Sequence, residues 1–153
     1  MPKTRNTGAG CLVVIIAAAG VAFVLSQRAA TPPSAPAPAE PSPFKFHSSK
    51  IDPTNPDSIM ELYTGARVFD PNTLSNLCIE RRNVPQNTFF LVVFDSAETA
   101  QFPSNPFSAF YGLEANALRH IIAAYTYNRG NGFSELNIYR ANALESPSTT
   151  LHP

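Results

Sequence analysis

The sequence predicts an α+β fold: a small mixed or antiparallel sheet with a buried central strand and two or three helices, preceded by a single transmembrane or signal helix and a proline-rich linker. Three observations predict it. NTFFLVVFD, residues 87–95, contains six consecutive apolar residues. Asn55-Pro56 and Asp70-Pro71 each precede apolar residues that are spaced as on one face of a helix. The N-terminal region combines an uncharged apolar stretch with a dense run of prolines.

Length and composition limit the architecture to one domain with attachments. The chain has 153 residues, and eleven basic residues balance eleven acidic ones, so no nucleic-acid partner is predicted. Ten of the eleven Phe and all five Tyr lie in residues 44–146, enough for a real core. Neither a repeat nor a disulfide framework is present, because the two cysteines, Cys11 and Cys78, lie in different regions.

Residues 8–25 form an uncharged stretch that would span about 27 Å as a helix. That length fits either a retained membrane anchor or a cleaved signal segment. Lys3 and Arg5 precede it and only Arg28 follows closely, so we expect a cytoplasmic N-terminus and an extracytoplasmic C-terminal domain. The alternative is secretion after cleavage near Ser26. Residues 1–28 are therefore assigned to a membrane anchor or signal segment.

Residues 29–50 are interpreted as an extended linker rich in Pro and Ala. Residues 31–43 hold six prolines in thirteen positions, which prevents helix or sheet formation there. In polyproline II form this stretch reaches about 40 Å. Such a spacer is suited to holding a folded module, residues 51–145, away from a bilayer. Residues 146–153 are expected to be a disordered tail.

Within the module, the first predicted element is a short amphipathic helix near residues 57–65. Asn55 and Pro56 resemble a cap followed by a first-turn proline, and Ser58 with Glu61 forms an alternative capping box. Gly65 offers a stop. The spacing of the apolar residues between them fits one helical face.

A second helix is predicted after Asp70 and Pro71, which repeat the arrangement of cap and first-turn proline. Leu74, Leu77 and Cys78 follow at the spacing of one helical face. Cys78 is expected to be a small buried apolar side chain.

The central strand is predicted at residues 88–95, where a run apolar on both faces is typical of the middle of a covered sheet. Residues 120–141 permit two interpretations. A helix could run over residues 113–126, or a helix could end near His120 and be followed by a hairpin with a strand at 134–140. The second is favoured because Ile, Tyr and Thr dominate after His120 and RGNG resembles a hairpin loop.

Motifs for common chemistries are missing from the sequence. There is no glycine-rich phosphate loop, GxSxG, HExxH or CxxC, and the three histidines are dispersed, so neither a metal nor a cofactor is predicted. A nucleophile, base and orienting acid could be assembled from Cys78, His120 and Asp95, but almost any domain of this size offers such a set.

The connection after the central strand is the best candidate for a functional segment. Residues 96–112 are long for a loop in a compact domain and are rich in aromatic side chains. These aromatics either anchor a partner or fold back over the core. The predicted partner-binding residues are Phe102, Phe107, Phe110, Tyr111 and Asp95.

These features predict a membrane-anchored extracytoplasmic binding or accessory module of an envelope or membrane assembly, with a protein partner and no catalytic residues. One alternative is a small secreted or tethered hydrolase that uses Asp95 and His120. Another is a small-ligand sensor whose groove is lined by the aromatics of residues 102–111.

Overall fold

A computed structural model describes residues 42–104, 107 and 112–153, and in this part of the chain six strands form one mixed sheet in the order β1-β2-β3-β4-β5-β6. The α+β class is confirmed. A single 3₁₀ turn covers Ala97–Thr99. The elements in chain order are β1 (Lys45–Asp52), β2 (Asn55–Thr64), α1 (Pro71–Arg81), β3 (Thr88–Phe94), α2 (Ala115–His120), β4 (Ile121–Asn128), β5 (Phe133–Ile138) and β6 (Thr149–Leu151).

Strands β2 and β3 are parallel, whereas every other neighbouring pair is antiparallel. Two adjacent parallel strands need a crossover, and helix α1 supplies it. The predicted start of α1 is confirmed: Asp70 accepts hydrogen bonds from the backbone N–H groups of Asn72 and Thr73, and Pro71 occupies the first turn.

Strand β3 is the buried central strand, as predicted. Its side chains alternate between two apolar clusters, and all six from Phe89 to Phe94 are buried. Phe89, Leu91 and Val93 belong to the cluster on the α1 face. Phe90, Val92 and Phe94 belong to the cluster on the opposite face. The sheet therefore has to be covered on both sides.

Helix α1 covers one face through Leu74 and Cys78, which are both fully buried. Burial raises the pKa of the Cys78 thiol to about 12, so this cysteine is a core residue and not a nucleophile. The helix is also tied to β2, because Arg81 donates two hydrogen bonds, of 3.0 and 2.6 Å, to the buried carboxylate of Glu61. The same carboxylate accepts a hydrogen bond from Tyr63, and burial raises the pKa of that phenol.

The opposite face is covered by helix α2 and by part of the segment that follows β3. Ala117 of α2 and Phe107 are buried there. Phe107 stacks on Phe102 with ring centroids 6.0 Å apart. Its backbone N–H donates a 2.5 Å hydrogen bond to the fully buried carboxylate of Asp52, at the end of β1. The edge strand thus holds the covering segment in place.

The helix predicted near residues 57–65 is wrong, because these residues lie in strand β2. Strand β2 is apolar on both faces: Met60 and Leu62 point to one face, and Ile59 and Tyr63 point to the other. A strand buried on both faces lacks the alternation of apolar and polar residues that would identify it in the sequence. The residues that resembled a capping box act otherwise: Ser58 accepts a hydrogen bond from the Asn55 side chain.

Between Ala115 and Asn128 the favoured interpretation is confirmed: α2 ends at His120, and β4 begins at Ile121 and pairs with β5. The two edges extend further than expected. Strand β1 takes in residues 45–50, which were assigned to the linker, and β6 lies in the expected tail. Edge strands need only one neighbour and bury few side chains, so their sequences carry little apolar pattern.

The proposed anchor, residues 8–25, and most of the proline-rich stretch lie outside the described residues. In the part of the chain that the structure describes, neither helix has the length and apolar character needed to cross a bilayer.

Replacing Asp52 with Asn tests how the covering segment is held. Burial alone would raise the pKa of Asp52, but hydrogen bonds from the N–H groups of Phe107 and Thr54 and from the Thr54 hydroxyl lower it below its usual value of about 3.9. A lowered pKa stabilises the fold above the unfolded-state pKa, and this contribution is lost as pH falls through the lower, folded-state pKa. We expect Asp52→Asn to lower the unfolding free energy at pH 7 and to flatten its fall below about pH 4.

The measurement is urea unfolding followed by circular dichroism between pH 7 and pH 2.5. The matched control is Asp57→Asn, since Asp57 is an exposed carboxylate in the neighbouring strand. Equal pH profiles for the two variants would contradict this role of Asp52.

Candidate functional site

A cleft of about 350 Å³ opens where strands β2 and β3 end. These strands are parallel, and Thr64 pairs with Phe94, so both carboxyl ends meet at one end of the sheet. Ligands of α/β sheets commonly bind outside the carboxyl ends of parallel strands. We call this part of the molecule the loop end. The residues lining the cleft are Pro43, Lys45, Thr64, Gly65, Ala66, Asp95 and Ala97.

Asp95 lies at the centre of the loop end, directly after β3. Its Oδ2 lies 2.5 Å from the guanidinium Nη2 of Arg67, and its Oδ1 lies 2.7 Å from Nδ1 of His120. The backbone N–H of Asp95 donates a 2.8 Å hydrogen bond to the carbonyl of His120. The pairing of β3 with β4 produces this contact, because it places the end of one strand beside the start of the other.

Arg67 connects four segments of the loop end. Besides contacting Asp95, its guanidinium donates to the carbonyl of Arg119, at 2.9 Å, and to the carbonyl of Ala141. The segments after β2, β3 and β5 and the junction of α2 with β4 are therefore held together by one side chain. A planar guanidinium with five donors is suited to such multiple contacts. We call Arg67, Asp95 and His120 the brace.

The electrostatics of the brace favour an ordered surface. The Asp95 side chain is only 17% exposed and lies between two basic groups, each of which contacts one of its oxygens. Lys45 adds a further positive charge at the rim of the cleft.

The brace is only partly suited to acid-base catalysis. Hydrogen bonding to a carboxylate through Nδ1 is how a general-base histidine is oriented. The His120 ring, however, is not among the residues lining the cleft. The hydrogen bond that the structure describes for the His120 ring goes to Asp95, and Cys78 lies in the α1 core. The structure therefore brings together Asp95 and His120 but not the complete set with Cys78.

The predicted aromatic residues occupy different positions. Phe107 is buried and Phe102 is half-buried, and both belong to the apolar cluster on the face of the sheet opposite α1. Phe110 and Tyr111 lie outside the described residues. Phe102 and Phe107 thus follow the alternative in which the segment folds back over the core, whereas Asp95 lies in the cleft.

Arg67 and Lys45 belong to the loop end but were not predicted. Arg67 follows β2 by three residues, and a charged residue just after a buried strand is a recognisable signal. That signal was hidden because β2 resembled a helix. Lys45 was assigned to the linker, and its place in β1 follows only from pairing with Thr64.

Among the residues that the structure describes, no cluster of three or more His, Cys, Asp or Glu side chains could hold a metal ion. The sequence matches no known protein-family model, no curated protein matches it significantly, and neither does any solved structure. The loop end therefore has to be interpreted from its own geometry.

Replacing Asp95 with Asn tests the brace. The change removes the charge that pairs with Arg67 and His120, so we expect a loss of about 1–2 kcal/mol in unfolding free energy at pH 7, because both pairs are partly exposed. Glu98→Gln is the control, since Glu98 is an exposed acidic residue in the next turn of the chain.

Chemical denaturation measures the free energy, and amide hydrogen exchange shows where the structure loosens. We expect faster exchange after β2, β3 and β5 in Asp95→Asn and unchanged exchange in β3 itself. Equal stabilities for the Asp95 and Glu98 variants would show that the brace contributes nothing.

Proposed function

We propose that this chain is a membrane-anchored extracytoplasmic binding module, an accessory part of an envelope or membrane assembly, which binds a protein partner through its loop end. The uncharged residues 8–25 serve as the anchor, and the proline-rich residues 31–43 serve as a spacer. The N-terminus is then cytoplasmic and the sheet domain extracytoplasmic, according to the distribution of basic residues.

The observation that carries this proposal is the brace. Loops that bind partners work best when a rigid scaffold fixes their positions before binding. Arg67 and Asp95 fix several loops at one end of the sheet through contacts of 2.5 to 2.9 Å. The adjoining cleft offers Lys45 and Thr64 for polar contacts. A preorganised polar surface of this kind is suited to recognition.

The position of the linker supports the same surface. Pro43, the last proline of the spacer, lines the cleft, and β1 begins two residues later. The tether therefore joins the module at the rim of the proposed binding surface. A partner in the same membrane assembly would meet the module where it is attached.

Binding is favoured over covalent catalysis because the polar groups are already paired. Both oxygens of Asp95 are engaged, and His120 does not line the cleft. The described contacts include no nucleophile beside His120. A hydrolase remains the second candidate, favoured by one observation: the 2.7 Å contact of His120 Nδ1 with Asp95 would orient the ring to activate a water molecule.

Site-specific photocrosslinking in membranes tests the proposal. A photoreactive amino acid is placed at Ala97, which is exposed and lines the cleft, in the full-length chain. The control position is Asn131, in the hairpin at the opposite end of the sheet. We expect one defined protein adduct from position 97, none from position 131, and loss of the adduct when Lys45→Glu reverses the rim charge.

Adducts of the same proteins from both positions, or none from position 97, would contradict binding through the loop end. Hydrolysis of ester, amide or phosphate substrates that is abolished by His120→Ala, together with a missing adduct, would favour the hydrolase instead. The folded state of each variant is checked by circular dichroism.

A further inference from the structure

Strand β1 forms one edge of the sheet and is the most exposed long strand. Seven of its eight residues lie outside the core, and the strand order ends with β1. One side of its backbone pairs with β2, which leaves the other side to solvent within the described part of the chain. Such an edge can accept a further strand.

Two large apolar side chains stand on this edge. Phe46 is 55% exposed and Ile51 is 48% exposed. Phe46 lies opposite Tyr63 and Ile51 opposite Ile59, so both point to the α1 face. The bulge between Phe46 and Ser48 produces this arrangement, because the extra residue reverses the alternation of faces.

The lysine that could protect this edge, Lys50, lies on the face of the sheet opposite to that of Phe46 and Ile51. A charged side chain on an edge strand normally discourages pairing with another strand. The ammonium group of Lys50, however, lies 5.9 Å from the ring centroid of Phe102 and 5.8 Å from that of Phe107. Its charge is held over aromatic rings of the same chain. The centre of β1 therefore presents Ser48, Ser49 and backbone groups.

We propose that β1 pairs antiparallel with β1 of a second copy of this chain, about a twofold axis that passes through Ser49. The two six-stranded sheets then become one continuous sheet. This interface lies at the edge of the sheet and is independent of the loop-end function proposed above.

The register follows from the faces of the side chains. Residues directly opposite each other in an antiparallel pair point to the same face, so their numbers differ by an even number of positions. A twofold axis normal to the sheet therefore passes midway between the two copies of one residue. An axis through Ser49 places Lys50 opposite Ser48 of the second copy. It also places Ile51 opposite the bulge of Phe46 and His47 of the second copy. The twofold axis repeats this arrangement, so each Ile51 is buried against the Phe46 of the other copy.

The neighbouring registers are less favourable. An axis through Lys50 would set two lysines directly opposite each other, and like charges in that position are destabilising. An axis through Ser48 would set Ser49 opposite the bulge and Lys50 opposite Lys45, which is again a pair of like charges on one face. The Ser49 register is the one of these three that combines buried apolar contacts with no like charges directly opposite each other.

Disulfide formation by Ser49→Cys tests both the partner and the register. The variant is made in the full-length chain with Cys11→Ser; Cys78 is retained because it is fully buried. Directly opposite Cβ atoms in an antiparallel pair lie about 4.5–5.5 Å apart, near the range of a disulfide. Ser48→Cys is the matched control, because the two copies of residue 48 are offset along the strands beyond that range. Mild oxidation should yield about tenfold more covalent homodimer from Ser49→Cys.

Ile51→Lys is then added to the Ser49→Cys chain, where it should abolish the covalent dimer. Sedimentation of the Cys11→Ser chain in density-matched detergent should give a dimer, which Ile51→Lys converts to a monomer of unchanged circular dichroism. Equal crosslinking of the two cysteine variants, a monomeric parent chain, a dimer that survives Ile51→Lys, or an adduct with a different protein would each overturn the proposal.

Discussion

Strand β3 is apolar on both faces, and the rest of the structure depends on the need to cover both of them. Helix α1 covers one face, and the parallel arrangement of β2 and β3 follows because α1 is their crossover. The other face is covered by α2 and by Phe107 of the segment after β3. The hydrogen bond from the Phe107 N–H to the Asp52 carboxylate holds Phe107 on this face. Polar groups remain exposed at the loop end and along the outer edge of the sheet.

Paired charged side chains hold the elements around the sheet in place. Glu61 is buried and paired with Arg81, which ties α1 to β2. Asp95 is paired with Arg67 and His120, which ties together the loops where the strands end. Removing Arg81 would leave the buried charge of Glu61 uncompensated, so this pair makes the position of α1 specific. The proposed functions use what remains accessible: the polar cleft beside the brace and the outer edge of β1.

Much of the fold could be predicted because local signals agreed with the tertiary structure. The continuous apolar run identified β3, Asp70 and Pro71 identified the start of α1, and the change of residue types after His120 separated α2 from β4. Strand β2 could not be recognised, since a strand buried on both faces has apolar spacing that also fits a helix. Asp95 and His120 could be named as candidates by residue type. Their contact, and the participation of Arg67, depend on strand register, which a single sequence does not specify.

In this account a two-sided core directs Phe102 and Phe107 inward, and the proposed binding uses the loop end and the edge of the sheet. Hydrogen exchange of the Phe107 amide in the full-length chain tests this most directly. The account predicts that this amide exchanges only when the whole domain unfolds, within about tenfold of the rate of Leu91 in β3. Exchange of Phe107 at the rate of an unprotected loop would contradict the account, because the second face of the sheet would then be open.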